Sequence, residues 1–165
     1  MWYNLKQQKP PKGNHMSKLK IYMDNCCYNR PFDDMTQVKL KNEATAKMYI
    51  QSLVKFQSLA LYSSFMLSYE IDKSPHERNK EHISQFVDQY SSFHIGEKRE
   101  SEVLPISAEI TKKGIHYKDS VHLACSMIAG CDYFITTDKR VLKYKTEKIK
   151  IVDPIQFVKI WRELE

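Results

Sequence analysis

Four acidic residues stand where an acid is costly or where chain direction makes it useful: Asp24, Glu70, Asp119 and Asp138. Asp24 directly follows the short apolar run Lys20–Met23, and Asp138 follows YFITT. Glu70 lies within FMLSYEI, a stretch so apolar that burying a carboxylate there is unfavourable unless it is paired or bound to a cation. Asp119 opens the segment DSVHLACSMIAG, where a helix N-terminus favours negative charge. These acids are far apart in sequence and fit no short motif, so any joint role must be spatial. If they converge, their charges repel, and a hard divalent cation relieves the repulsion. Ligation by oxygen alone suits Mg²⁺ or Mn²⁺. Such a cation can activate water and stabilise charge at a phosphodiester. Local roles stand as alternatives: Asp119 as an N-cap, Asp138 as the cap of a short helix, Asp24 as a turn residue. Spacing does not choose between the two sets.

The elements that must position these acids alternate along the chain. Lys20–Met23, Leu59–Tyr62, Ser92–Ile95, Tyr133–Thr136 and Lys150–Val152 read as short apolar strands of a parallel sheet covered on both faces. Between them, helical spacing covers Leu40–Gln57, Phe65–Lys73, Glu77–Tyr90, Glu100–Lys113 and Asp119–Ala129. Ser74-Pro75, Gly114 and Gly130 supply three of the stops. Asp138–Lys143 reads as a short helix, and Pro154–Leu164 as a final one with proline in its first turn. Residues 25–36 are expected to form a loop, because Pro31 disfavours helix just before it. The pattern predicts an open, doubly wound α/β fold, whose site lies at the carboxyl ends of the strands. Asp24 and Asp138 fall at that edge.

A chain of 165 residues fits one compact domain. With 42% hydrophobic and 28% charged residues, it is neither disordered nor membrane-like in composition. There is no apolar run of about 20 residues and no secretory core segment, so a cytoplasmic protein without membrane attachment is expected. Cys26, Cys27, Cys125 and Cys131 match no C-x-x-C or zinc-finger spacing and read as reduced thiols packed like small hydrophobes. The net charge of +6 permits a polyanionic partner. Residues 1–15, with Pro10, Pro11, Gly13 and three lysines but no acid, read as a flexible extension ahead of a domain at 16–165. Met16 stands just before the first strand and is a second candidate start.

Between about Lys20 and Val152 the sequence resembles the PIN-domain family. The resemblance rests on IYMDN (21–25), SSFMLSYEI (63–71) and KDSVHLACSMIAGCDYFITTD (118–138). The third is the most specific: an acid opening an alanine-containing helix, then glycine, then Asp-aromatic-hydrophobic-Thr-x-Asp. NCCYNRPFDD after the first acid further resembles a bacterial subgroup. The family implies a three-layer α/β/α sandwich around a parallel sheet and Mg²⁺- or Mn²⁺-dependent cleavage of single-stranded RNA. Residue by residue, it implies Asp24, Glu70, Asp119 and Asp138 as catalytic, metal-holding acids, with Thr136 helping to order them. Many members carry a small hydroxyl residue after the first acid and asparagine next. Here Asn25 follows directly and Cys26 comes after it, which changes the supporting polar position but not the acid. Many small bacterial relatives are toxins of the VapC type paired with an antitoxin, so an antitoxin partner and a homodimer are candidate assemblies.

Other residues have weaker claims. His122, three residues after Asp119, reads as a core or supporting histidine rather than a ligand. His116 is a candidate RNA contact, and Asp132 a turn residue. Asp33 and Asp34 are candidates to cap the next helix or border the groove. Arg30, Lys139 and Arg140 are candidate phosphate contacts, as is the basic run continuing through Lys143, Lys145, Lys148 and Lys150. Tyr28 and Phe32 are suited either to stacking on bases or to packing their loop.

Two other functional classes compete with a ribonuclease. One is a catalytically inactive PIN-like domain that binds RNA or protein; retention of all four acids argues against it. The other is a receiver-like phosphoacceptor, which needs adjacent acids after the first strand, where this chain has Asp24-Asn25. Residues 1–15 carry no acid and no apolar face. A chain beginning at Met16 is therefore expected to keep its turnover rate on saturating RNA and to bind RNA more weakly at low salt. A large fall in turnover with an unchanged circular dichroism spectrum would contradict this.

Overall fold

The computed structural model describes residues 17–29 and 36–165. Five strands, β1 (Lys20–Met23), β2 (Ala60–Ser64), β3 (Ser91–Ile95), β4 (Tyr133–Ile135) and β5 (Lys150–Val152), form one sheet in the order β3-β2-β1-β4-β5. Every neighbouring pair is parallel. Parallel pairing needs long crossovers, and helices supply them.

Strand pleating sends alternate residues of β1 into two separate cores. Ile21 and Met23 join Leu61, Tyr133 and Ile135 on one face. There they pack against Ile50 and Leu53 of α2 (Val38–Lys55), Ile83 and Val87 of α4 (Glu77–Tyr90) and Phe157 of α8 (Pro154–Leu164). Tyr22 joins Phe134 on the other face, packed against Val103 of α5 (Glu100–Lys112) and Val121 and Leu123 of α6 (Tyr117–Ile128). The result is the three-layer α/β/α sandwich expected. Tyr22 and Phe134 stack with ring centroids 5.5 Å apart, an arrangement worth about 0.5–1.5 kcal/mol beyond its buried area.

Strand order fixes where a site can form. From β1 the chain goes to β2 on one side, and β4 pairs on the other, so the crossovers diverge between β1 and β4. A crevice opens there, beyond the carboxyl ends of both strands. The order also differs from the 2-1-3-4-5 order of receiver-type sheets, so the phosphoacceptor alternative loses its fold.

Two local expectations are corrected. Residues 25–36 were expected to form a loop, yet Asn25–Asn29 form a short helix, α1. The Cys27 amide donates to the Asp24 carbonyl at 2.9 Å and starts it. A proline at 31 restricts only the residue before it, leaving 25–29 able to coil. Asp119 is not an N-cap: α6 begins at Tyr117, with His116 at the cap, so Asp119 occupies the third helical position. Arg30, Phe32, Asp33, Asp34 and residues 1–15 lie outside the described residues. Among those described, no helix is long and apolar enough to cross a membrane.

Candidate active site

Asp24 extends β1 by one step, its backbone N–H donating to the Ile135 carbonyl at 2.9 Å. Its side chain is buried and held at both oxygens. Thr136 Oγ1 donates to Oδ2 at 2.9 Å, and the Asn25 N–H to Oδ1 at 2.7 Å. The Cys26 thiol lies 3.5 Å from Oδ2. Thr136 in turn accepts from the Asp138 N–H at 3.1 Å. One hydroxyl thus ties the acid after β1 to the acid after β4. A buried carboxylate with its lone pairs engaged in this way is fixed in one orientation.

Glu70 is presented by α3 (Phe65–Asp72), a helix capped by Ser64, whose Oγ accepts from the Leu67 N–H. Its Oε2 lies 2.7 Å from Nε2 of His122, and that nitrogen lies 4.0 Å from Asp24 Oδ1. An ionised carboxylate only accepts, so Nε2 carries the proton. The His122 Nδ1 lies 2.6 Å from the Tyr22 hydroxyl, which lies 2.6 Å from Ser64 Oγ. Burial opposes charging His122, but the Glu70 hydrogen bond and the charges of Asp24, Glu70 and Asp119 outweigh it and raise its pKa. Burial likewise pushes the Tyr22 pKa well up, so its hydroxyl keeps its proton. His122 Nδ1, the Tyr22 hydroxyl and Ser64 Oγ thus form one buried hydrogen-bonded chain behind Glu70.

Asp119 is half-buried, and its pKa is pushed up to about 6. Burial is the main cause, followed by the nearby charges of Asp24 and Asp138, with a smaller push from Glu70; His122 pulls the other way. Asp24, Glu70 and His122 form the tightest group, each offering a ligand atom within 4.8 Å of the others. Asp119 lies outside this group but is coupled to it through charge, and it also feels the charge of Asp138. Asp138 also fills its local role: Oδ1 accepts from the Arg140 and Val141 amides and caps α7 (Lys139–Leu142). The donor set fits a hard divalent cation. Asp24 and Glu70 offer it carboxylate oxygens, and the nitrogen of the group, His122 Nε2, is engaged by Glu70.

The remaining residues separate cleanly. Asn25 contributes its backbone N–H. Arg140 is exposed and hydrogen-bonded to His116, on the side where Asp138 and the start of α6 meet. Lys139 is exposed beside them. Lys150 belongs elsewhere: it sits at the amino end of β5, its ammonium 5.4 Å from the centre of the Tyr133 ring, at the edge opposite the acids. Asp132 lies at that far edge too, its Oδ2 accepting from the Lys20 N–H at 2.8 Å. Tyr28 is buried against Phe86 and packs its element. Cys27, Cys125 and Cys131 are buried free thiols, as expected. Cys26 is a free thiol packed against the core, as expected, and has polar neighbours besides. It touches Asp24 and Thr136 and accepts from Thr137 Oγ1 at 3.3 Å. Its position two residues after a strand-end acid was the available signal.

No protein-family model matches the chain, and no curated protein matches it. Solved structures do share its fold. A chain of VapBC2 from Rickettsia felis, solved bound to a DNA fragment from the promoter, aligns with a TM-score of 0.50 at 14% identity, covering 82% of this chain and 98% of that one. A chain of FitAB, solved bound to the IR36 DNA fragment, aligns with a TM-score of 0.54 at 14% identity, covering 82% and 95%.

The raised Asp119 pKa has a stability consequence. In the unfolded chain this carboxyl ionises near 3.8; in the folded protein it does so at about 6. Between those values the native state holds a proton that the unfolded chain has lost, so this group's contribution to stability declines as pH rises through the window. In EDTA at pH 7, Asp119→Asn is therefore expected to melt at a higher temperature than the wild type, with the gap closing towards pH 4. Equal melting at pH 7, or a gap that widens on acidification, would contradict the crowding.

Proposed function

We propose that the chain is a PIN-type endoribonuclease that hydrolyses phosphodiester bonds of single-stranded RNA with Mg²⁺ or Mn²⁺. The observation that carries this reading is the convergence of Asp24, Glu70 and His122, from the end of β1, from α3 and from α6, with ligand atoms within 4.8 Å of one another, and Asp119 near enough to feel the charges of Asp24, Asp138 and Glu70. Asp24, Glu70, Asp119 and Asp138 would hold the cation. When bound, the cation supplies Lewis-acid activation of water and charge stabilisation at the phosphodiester. The protein's part is orientation. Thr136 and the Asn25 N–H hold Asp24, and His122 holds Glu70, as outer hydrogen bonds commonly do for metal-binding carboxylates. Arg140 and Lys139, exposed beside Asp138, would meet the phosphate backbone. RNA as substrate is supported by the sequence resemblance.

The same resemblance supports the role of a toxin with a protein antitoxin, acting as a homodimer. The neighbours of similar fold, VapBC2 and FitAB, are described as bound to DNA, one of them to DNA from its promoter. A DNA-binding antitoxin is the corresponding partner here.

Incubation of the protein with single-stranded RNA and Mn²⁺ is expected to give cleavage that EDTA stops. Asp24→Asn should lower the rate on the order of 100-fold, because it removes ligand charge from the site, and should leave the circular dichroism spectrum unchanged. Wild-type cleavage by that variant would remove Asp24 from the site. RNA binding without cleavage by the intact protein would favour an inactive binding domain instead.

A further inference from the structure

Beside the acids, α3 carries an exposed aromatic ring that nothing described so far uses. Tyr69 precedes Glu70 and is 47% exposed, in a helix whose Met66, Leu67 and Ile71 are buried. The ammonium groups of Lys73 and Lys118 each lie 5.7 Å from the centre of its ring. Lys118 precedes Asp119. The ring and one of its cations are thus the immediate chain neighbours of two of the four acids.

The ring also forms part of a surface groove. Phe65, Ser68 and Tyr69 line it from α3, His94 from β3, and Lys98 and Arg99 from the segment after it. Its volume of about 640 Å³ falls within the range of small-ligand sites, about 300–1,000 Å³. Asp72 and Glu97 line it as well, and Arg99 is paired with Glu102 at 2.9 Å. The groove is therefore not a simple sink for negative charge. Its distinctive feature is the Tyr69 ring, which also has Lys73 and Lys118 beside it, outside the groove lining.

We infer that Tyr69, flanked by Lys73 and Lys118, is a base-stacking subsite that holds the unpaired nucleobase next to the scissile phosphate of a single-stranded RNA. This rests on the proposed ribonuclease reading and extends it to substrate selection. A base stacks on tyrosine whatever its identity, and lysines beside the ring take the adjacent phosphates. The cation–ring contacts are weak at an exposed site, so the flexible lysine stems can turn towards phosphate when a base arrives. Bases paired within a duplex do not expose a face to such a ring, so the subsite selects single strands.

The test is binding of a short fluorescein-labelled single-stranded RNA in EDTA, read by anisotropy, with cleavage kinetics in Mn²⁺ alongside. Tyr69→Ala is expected to weaken binding about 5- to 150-fold, and Tyr69→Phe, which keeps the ring, to stay within about twofold. An abasic site placed at one position of the RNA should cost the wild type the same loss and cost Tyr69→Ala nothing further. Lys73→Ala and Lys118→Ala should each lower the slope of log affinity against log salt by about 0.7. In kinetics, Tyr69→Ala should raise KM more than it lowers kcat. Wild-type affinity in Tyr69→Ala, or equal binding of duplex and single strand, overturns the inference. The two readings can fail separately. If Asp24→Asn abolishes cleavage while Tyr69→Ala changes nothing, the nuclease reading survives and the subsite does not. If Tyr69→Ala loses affinity in a protein that never cleaves, the subsite survives alone. A wild-type protein that binds no single-stranded RNA overturns both.

Discussion

Repulsion among carboxylates at the carboxyl ends of β1 and β4 is the constraint on which the site depends. Asp24 is almost fully buried, Glu70 is 16% exposed at its side chain, and Asp119 and Asp138 lie close enough to be felt. Each acid needs hydrogen bonds or positive charge to stay ionised there. The protein supplies the bonds: Thr136, the Asn25 N–H and the Cys26 thiol at Asp24, His122 at Glu70, and the α7 amides at Asp138. Asp119 has fewer such partners: burial first, then the charges of Asp24 and Asp138, raise its pKa to about 6.

The sheet makes this crowding feasible by fixing the acids on a rigid frame. Asp24 and Asp138 leave adjacent parallel strands at the same end, and the Thr136 hydroxyl joins them. Behind Glu70, the chain His122–Tyr22–Ser64 crosses from α6 through β1 to the start of α3. Tyr22 belongs to the α5/α6 core through its ring and to this chain through its hydroxyl. Core packing and the orientation of Glu70 are therefore set by the same residue. A fully satisfied buried network of this kind favours one arrangement over many.

Much of the fold was legible because its signals are local. Apolar runs ended by acids gave the strands, and Gly114, Gly130 and Pro154 punctuated the helices. The helices Glu77–Tyr90 and Pro154–Leu164 and the strands Lys20–Met23 and Lys150–Val152 match the sequence expectation residue for residue. Asp24 and Asp138 stood out because a strand end in such a fold has a known direction. What was missed is non-local or a matter of one helical turn. The Tyr22–His122 bond joins residues 100 apart, and no periodicity encodes it. The start of α6 at Tyr117 rather than Asp119 removes the capping alternative for that acid. Lys150 seemed to continue the basic run beyond Asp138, but the chain had by then crossed to the far edge of the sheet.

The most direct test of the account is a crystal of the protein grown with Mn²⁺ and measured at the manganese absorption edge. The account predicts one anomalous peak at the crevice beyond β1 and β4, surrounded by carboxylate oxygens of Asp24, Glu70, Asp119 and Asp138, with His122 still bonded to Glu70. A crevice without a peak at saturating Mn²⁺, or manganese bound through His122 Nε2 with Asp119 and Asp138 turned away, would contradict it.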